Sequence, residues 1–549
     1  MKAVFEKILS QKWSLFVLYA LASGAILPYT LWYVNNPDAF QYISIARKIA
    51  DGHFAHSING YWSPLLSWFL AVPLFFGINS IIAFKLVQII IGFFLINAWL
   101  RLLALLDFGN LYKGILALAI IPFALDYALL NATADLLFLT VLFYCLIIFL
   151  KNEWMNSRSE IIRLGVLGSL LYFSKAFGFP LFISLLGLTA ILSISKKEHK
   201  QIIHKIFPAL VVFLSLSSLW ILHLSIKYHH VTISEAAKFN LSKEVAPKPE
   251  QIMQLPVLNG PLLYPPDEFS LSAWESPGEI VGLTQINPLR DWSDYKQIIK
   301  RNVLSIWYHD FRNQLGFIFI FILLIFLFFR KRFEIKNPRP ILFLFFVMMI
   351  VYGGYSLILV HPRYVWICTL IMLLLSAWIW EKIHTKKEWM QDLLCAVFIL
   401  VVLIAVKRPV KEILFTKDED VPMLWIGKGL THPFETMKIT YRPEKELCKA
   451  IEALKRIPQF KGRMASLNSL QGERHAYSSS LFIANEFNTP YYGPLDTSLS
   501  VEEMKGQLQA SGISVFLVWD HGNWKAKDEA WCKELFFDQN LGLTVFGLF

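Results

Sequence analysis

The chain has 549 residues, of which 55% are hydrophobic and only 17% charged, with 45 Phe and 18 Trp. Soluble domains carry about a quarter charged residues, so the composition excludes an ordinary soluble enzyme and points to a membrane bundle with added outer parts. The formal net charge of +11 would suit nucleic acid, but Lys and Arg gather in short loops between apolar runs, as on the cytoplasmic side of a membrane protein; the lipid bilayer is an expected partner and nucleic acid is not.

Lys2, Lys7 and Lys12 precede the first apolar run, Trp13 to Val34. It has about the ~20 residues that a spanning helix needs. No small-residue cleavage site follows, so it is read as a retained first span with a cytoplasmic N-terminus. Next comes "NNPDAFQYISIARKIADGHF" (35–54), which predicts an amphipathic helix over Ala39–Ala50 and a turn at Asp51. "WSPLLSWFLAVPLFFG" (62–77) is apolar but short, and it holds Pro64 and Pro73. Further runs lie near 79–105, 113–130, 134–150, 161–176, 177–195, 206–227, 314–330, 339–360, 364–380 and 390–406. With the first run they make about eleven spans.

Loop charge decides whether 62–77 is a twelfth. If it does not span, "KKEHK" (196–200), "RKRFEIK" (330–336), "EKIHTKK" (381–387), Lys151, Arg158 and Arg163 all fall inside. If it spans, every later loop inverts and those cations fall outside. The bias of Lys and Arg toward the cytoplasm therefore makes 62–77 interfacial or re-entrant on the outer side. The expected architecture is a polytopic α-helical membrane domain, 1–406, with outer loops 35–78 and 228–312. An extracytoplasmic α/β domain, 407–549, follows. In it "GRMASLNSL" and "GISVFLVW" read as strands, while "RPEKELCKAIEALKRI" and "SVEEMKGQLQAS" have helical periodicity. Five Cys are too few for a disulfide framework. Cys145, Cys368 and Cys395 lie in apolar runs as packing residues, and Cys448 and Cys532 could pair outside the membrane.

This topology gathers four ionisable residues at the outer ends of the spans: Asp38, Asp135 in "NATADLL", Lys175 in "YFSKAFGFP" and Arg363 in "HPRYVW". Charges at membrane depth are costly and usually face an interior cavity. The four could form a structural ion-pair network, or an anionic headgroup site with a carboxylate beside it. The second suits a polyprenyl-phosphate sugar. Arg and Lys can hold the phosphate and stabilise it as a leaving group, and a carboxylate can take the proton of an incoming hydroxyl or amine. Asp38 and Asp135 are the candidate catalytic residues, Lys175, Arg363 and Tyr364 the candidate lipid-phosphate contacts, and Tyr42 and Trp62 the candidate substrate contacts. His53 and His56 at i, i+3, and the adjacent His229 and His230, read as solvated loop residues. The first loop has no Asp-x-Asp pair, so no metal or other cofactor is predicted.

The order of these signals resembles the GT-C glycosyltransferases: an Asp just after span 1, "YWSPLLSWFL" leading to "FFGIN", an Asp at the outer end of span 4, "LGVLGSLLYFSK", and late on "RYVWICTLIMLLLSAW". Within them it is similar to the group of protein O-mannosyltransferases and lipid A aminoarabinose transferases, over about residues 10–380. The resemblance implies a catalytic role for Asp38, a place in the site for Asp135, and lipid-phosphate contacts for Lys175, Arg363 and Tyr364. It also implies transfer of a hexose or pentose from a polyprenyl-phosphate donor to an extracytoplasmic glycan, lipid or protein. The chain departs from the mannosyltransferases in having Ala39, not a second acid, after Asp38; the β-trefoil insert of that subgroup is also missing. The alternatives are a transporter or flippase of a lipid-linked sugar, and a glycan polymerase or ligase. A transporter would be expected to show matching halves, and a polymerase or ligase to centre on Arg and His in a large outer loop. "VWDHGNW" (518–524) partly matches the Trp-Asp motif of oligosaccharyltransferases and is read as a strand-end turn.

Overall fold

The computed structural model describes residues 12–31, 36–106, 108–151, 154–192, 199–245, 262–280, 287–308, 316, 319, 339–382, 388–414, 444–468, 473–519, 524 and 529–549. The apolar runs are helices because a helix satisfies its backbone internally, where lipid offers no hydrogen-bond partner. They are α1 (Lys12–Thr30), then, past the connection with α2 (Asp38–Ala50) and α3 (Leu65–Phe75), α4 (Ser80–Leu105), α5 (Asn110–Leu129), α6 (Asp135–Leu150), α7 (Arg158–Ser174), α8 (Gly178–Leu192) and α9 (His199–Tyr228). After the connection with α10 (Ala236–Val245) and α11 (Trp292–Ile306) come α12 (Arg339–Ser356), α13 (Trp366–Lys382) and α14 (Glu388–Leu414). Six helical stretches among the described residues are long and apolar enough to cross a membrane. The chain is an integral membrane protein. The run near 314–330 lies outside the described residues, apart from two single positions.

The helices pack through buried apolar faces with few polar exceptions. Trp99 of α4 is fully buried and its indole donates to the Leu116 carbonyl of α5. Asn79 caps α4, its side chain accepting from the N–H groups of Ile81 and Ile82. These are donors that a helix start leaves without intrahelical partners. α3 has 11 residues, a rise of about 16 Å against a hydrocarbon core of about 30 Å. It packs on α2, with Ser67 donating to the Tyr42 carbonyl.

The C-terminal part is α15 (Glu444–Leu454), β1 (Arg463–Asn468), α16 (Glu473–Glu486), β2 (Tyr491–Leu495), α17 (Val501–Ala510), β3 (Ile513–Trp519), β4 (Cys532–Asp538) and β5 (Leu543–Leu548). The strands form one sheet in the order β2-β1-β3-β5-β4, with β2, β1 and β3 parallel and β5 and β4 antiparallel. α16 and α17 make the crossovers that parallel strands require. All five cysteines are free thiols, so Cys448 and Cys532 do not pair.

The sheet domain is seated on α2. Phe40 stacks on Phe482 with ring centroids 5.7 Å apart. Arg47 donates to the Asn485 carbonyl (2.8 Å), to Asn488 Oδ1 (3.3 Å) and to Ser80 Oγ (3.1 Å). Loop 262–276 runs along the free edge of β2: Leu263 N–H donates to the Tyr492 carbonyl at 2.9 Å, and Tyr491 N–H to the Leu271 carbonyl at 2.7 Å.

Candidate active site

Both candidate acids open a helix. Asp38 is the first residue of α2, after Pro37, and its N–H donates to Asn36 Oδ1 at 2.9 Å. Asp135 is the first residue of α6, and Thr133 Oγ1 donates to its Oδ2 at 2.8 Å. The partial positive charge of a helix N-terminus favours a carboxylate there. Lys175 closes α7 in extended conformation, φ −160°, at the end where the helix dipole favours a cation. Arg363 lies in the short 3-10 turn Pro362–Val365 that leads into α13. Sequence position alone puts the four far apart; the helix ends bring them together.

They form one chain of alternating charge. Lys175 Nζ lies 2.5 Å from Asp135 Oδ1, Arg363 Nε 3.5 Å from Asp135 Oδ2, and Arg363 Nη2 2.6 Å from Asp38 Oδ2. The side chains are 22% (Lys175), 7% (Asp135), 15% (Arg363) and 14% (Asp38) exposed. Such burial is tolerable because every charge has an opposite neighbour. Arg363 Nε is buried and, despite the nearness of Asp135, makes no hydrogen bond among the described residues; Tyr355 Oη is in the same state.

Aromatic rings close the cluster. Lys175 Nζ sits 3.5 Å from the centroid of the Tyr364 ring, which stacks on Tyr355. Trp274, from loop 262–276, donates its indole N–H to Asp38 Oδ1 at 3.3 Å. Trp62 donates to the Trp274 carbonyl at 3.2 Å and meets Tyr42 edge-on at 5.2 Å. The Tyr42 hydroxyl lies within electrostatic reach of Asp135, Asp38 and Arg363. Tyr42 and Trp62 are both buried and stand behind the charged groups.

A second buried cluster, not read from the sequence, fixes Trp274. Lys48 of α2, 1% exposed, donates to Glu275 Oε1 (2.5 Å), Asp267 Oδ2 (3.0 Å) and Ser270 Oγ (2.7 Å). Glu275, 2% exposed, also accepts from Ser44 Oγ (2.7 Å), and its carbonyl accepts from Asn59 Nδ2 (2.7 Å). Burial pushes the Glu275 carboxyl above its ordinary range, more than the charge of Lys48 pulls it down. For Asp267 burial acts the same way, but Lys48 and hydrogen bonds from Ser270 and His56 outweigh it and hold the carboxyl low.

The other singled-out residues fall elsewhere. Asp51 caps the end of α2 and is exposed. His53 stacks on Phe269, and His56 meets Asp267 at 3.3 Å. His230 meets Glu235 at 3.0 Å, and His229 has φ 58°. Among the described residues no group of three or more His, Cys, Asp or Glu could hold a metal. Most of "VWDHGNW" lies outside the described residues.

No protein-family model matches the chain, and no curated protein matches it by sequence. Its likeness to known proteins is in the fold. ArnT from Cupriavidus metallidurans superposes over 97% of both chains, at 12% identity and a TM-score of 0.52 in the apo state, and at 11% and 0.54 bound to undecaprenyl phosphate. The Archaeoglobus fulgidus oligosaccharyltransferase in complex with Zn and sulfate matches 92% of this chain and 68% of its own, at 12% identity and a TM-score of 0.50.

Proposed function

From a chain that has the fold of the GT-C membrane glycosyltransferases, we infer a glycosyltransferase that moves a sugar from a polyprenyl-phosphate donor to an acceptor outside the cytoplasm. The observation that carries this reading is the position of Arg363, between Asp38 and Asp135 with Lys175 beyond. A carboxylate thus lies next to two cations at one end of the bundle. Among the described residues the buried Nε–H of Arg363 has no hydrogen-bond acceptor. ArnT, of like fold, holds undecaprenyl phosphate, a ligand whose phosphate oxygens suit such donors.

In the proposed reaction the acceptor hydroxyl or amine gives its proton to Asp38 as its oxygen or nitrogen bonds to the anomeric carbon. The bond from that carbon to the phosphate oxygen breaks, and its electron pair leaves with the phosphate. Arg363, as a fork of donors, and Lys175, as a point charge, hold the added negative charge. A single displacement with one carboxylate as base inverts the anomeric centre. Asp135 keeps both cations in place, Tyr364 carries Lys175 on its ring face, and Tyr42 and Trp62 back the sugar side of the site.

The same reading has eleven spans, the N-terminus in the cytoplasm, and loops 35–78 and 228–312 outside with a domain from about residue 407 onward. The test is transfer of labelled sugar from polyprenyl phosphate by membranes carrying the protein or Asp38→Asn. Loss of transfer with undecaprenyl phosphate still bound supports the reading. Full activity of the variant would refute Asp38 as the base.

A further inference from the structure

At the end of the bundle away from the Asp38 cluster, α1, α4 and α6 leave a groove of about 550 Å³ between them. Its place follows from helix direction. α6 starts at Asp135 in the site and finishes at Leu150, and α4 starts at Ser80 beside the sheet domain and finishes at Leu105. Phe16, Leu100 and Ile147 give the groove apolar walls, while Arg101 and Lys151 stand at its polar end. Of the first apolar stretch only 22% is buried in the protein, so most of α1 is open to lipid. Trp13, 79% exposed at the start of α1, marks the headgroup level, where Trp is enriched.

Among the described residues the charges at the polar end are not balanced. Arg101 gives its Nε to Asn97 Oδ1 at 2.8 Å, a neutral acceptor. Lys151 meets Glu160 Oε1 at 2.8 Å, and Arg163 meets the same oxygen at 3.1 Å. Two cations thus share one carboxylate, and Arg101 adds a third positive charge beside them. A groove of a few hundred Å³ with apolar walls and cations at the headgroup level has the chemistry to take an acyl chain and its phosphate.

We propose that this groove binds an anionic glycerophospholipid of the leaflet opposite the active site, with its phosphate against Arg101 and Lys151 and an acyl chain along Phe16, Leu100 and Ile147. The lipid fills the space between α1 and the bundle and so fixes the helix that leads into the Asp38 loop. A zwitterionic lipid fits the apolar walls equally but leaves the surplus positive charge of the described residues Arg101, Lys151 and Arg163 uncompensated. This site is independent of the proposed transfer reaction.

The test uses the full chain, purified and delipidated in detergent, with phosphatidylglycerol or phosphatidylcholine of identical acyl chains added. Native mass spectrometry and thermal unfolding read retention and stabilisation. The wild type should retain phosphatidylglycerol preferentially. Arg101→Gln with Lys151→Gln should weaken that retention roughly thirtyfold, from two basic contacts. Ala104→Trp, which fills the groove and keeps its charges, should abolish retention, and Lys205→Gln, on α9 outside the groove, should leave it unchanged. Equal retention of the two lipids by the wild type, or an unchanged preference in the double variant, would overturn the proposal. Displacement of phosphatidylglycerol by undecaprenyl phosphate at the same residues would overturn it too, in favour of a second polyprenyl-phosphate site.

Discussion

Arg363 and Asp38 lie 325 residues apart in the chain, and 2.6 Å separates Nη2 of one from Oδ2 of the other. The contact joins the turn before α13 to the first residue of α2. Asp38 therefore has a fixed direction: Arg363 holds one oxygen and the Trp274 indole the other. A phosphate arriving at Arg363 would meet the carboxylate proposed as the base.

Asp38→Asn should lose transfer by about 10²–10⁴-fold, the usual cost of removing a general base, and still bind undecaprenyl phosphate. The amide keeps the shape but cannot take a proton. Asp135→Asn should lose less, because Asp135 contacts Lys175 and Arg363 and its proposed part is to hold them in place. Asp51→Asn, at the exposed end of α2, should be silent. A labelled-sugar transfer assay on the three variants checks the ranking, and equal losses at Asp38 and Asp51 would contradict it.

Arg363→Ala and Lys175→Ala should each weaken undecaprenyl phosphate binding roughly ten- to a hundredfold, as charge-assisted contacts are worth about 1.5–3 kcal/mol. Arg363→Lys should recover only part, since an ammonium lacks the fork. Binding to the purified variants measures this. Unchanged affinity in both alanine variants would make the cluster a structural ion-pair network only.

Lys48→Met should destabilise the protein by about 3–5 kcal/mol, because it leaves Glu275 buried without its cation. Lys48→Met with Glu275→Leu should be less damaging than Lys48→Met alone. Thermal unfolding compares the two. If the single and double variants unfold alike, the pair does not anchor the loop that carries Trp274.

Residues 196–200, 330–336 and 381–387 should react with a membrane-impermeant thiol reagent only from the cytoplasmic side once Cys is placed there, and positions in 444–549 only from the outside. Labelling at position 333 from outside would reverse the orientation and strand the proposed donor site in the wrong compartment.

Asp38, Asp135, Lys175 and Arg363 could be singled out from the sequence because each interrupts or ends an apolar run, where a charge is expensive. Trp274 could not. It sits in a loop without periodicity, and its anchor, Lys48 to Glu275, spans 227 residues. β3 was readable as an unbroken run of strand formers in "GISVFLVW". β2, "YYGPL", was not: Gly493 has φ +84°, and Pro494 carries no N–H for a ladder. α11 was hidden in the outer loop, since an isolated amphipathic stretch among Pro and Trp does not reveal what covers its apolar face.

The hydrogen bonds from loop 262–276 to the edge of β2 bear on how far the parts of this protein are interchangeable. A chimera that replaced the sheet domain with a foreign one would take away the partners of Leu263 and Leu271 in the same step. The loop bearing Trp274 would then be held only from the membrane-domain side, by Lys48, Ser44, Asn59, Trp62 and Asp38. The graft boundary that respects the hydrogen bonding is thus discontinuous in sequence: residues 262–276 have to travel with 444–549, and a cut at a single linker would not yield a transplantable module.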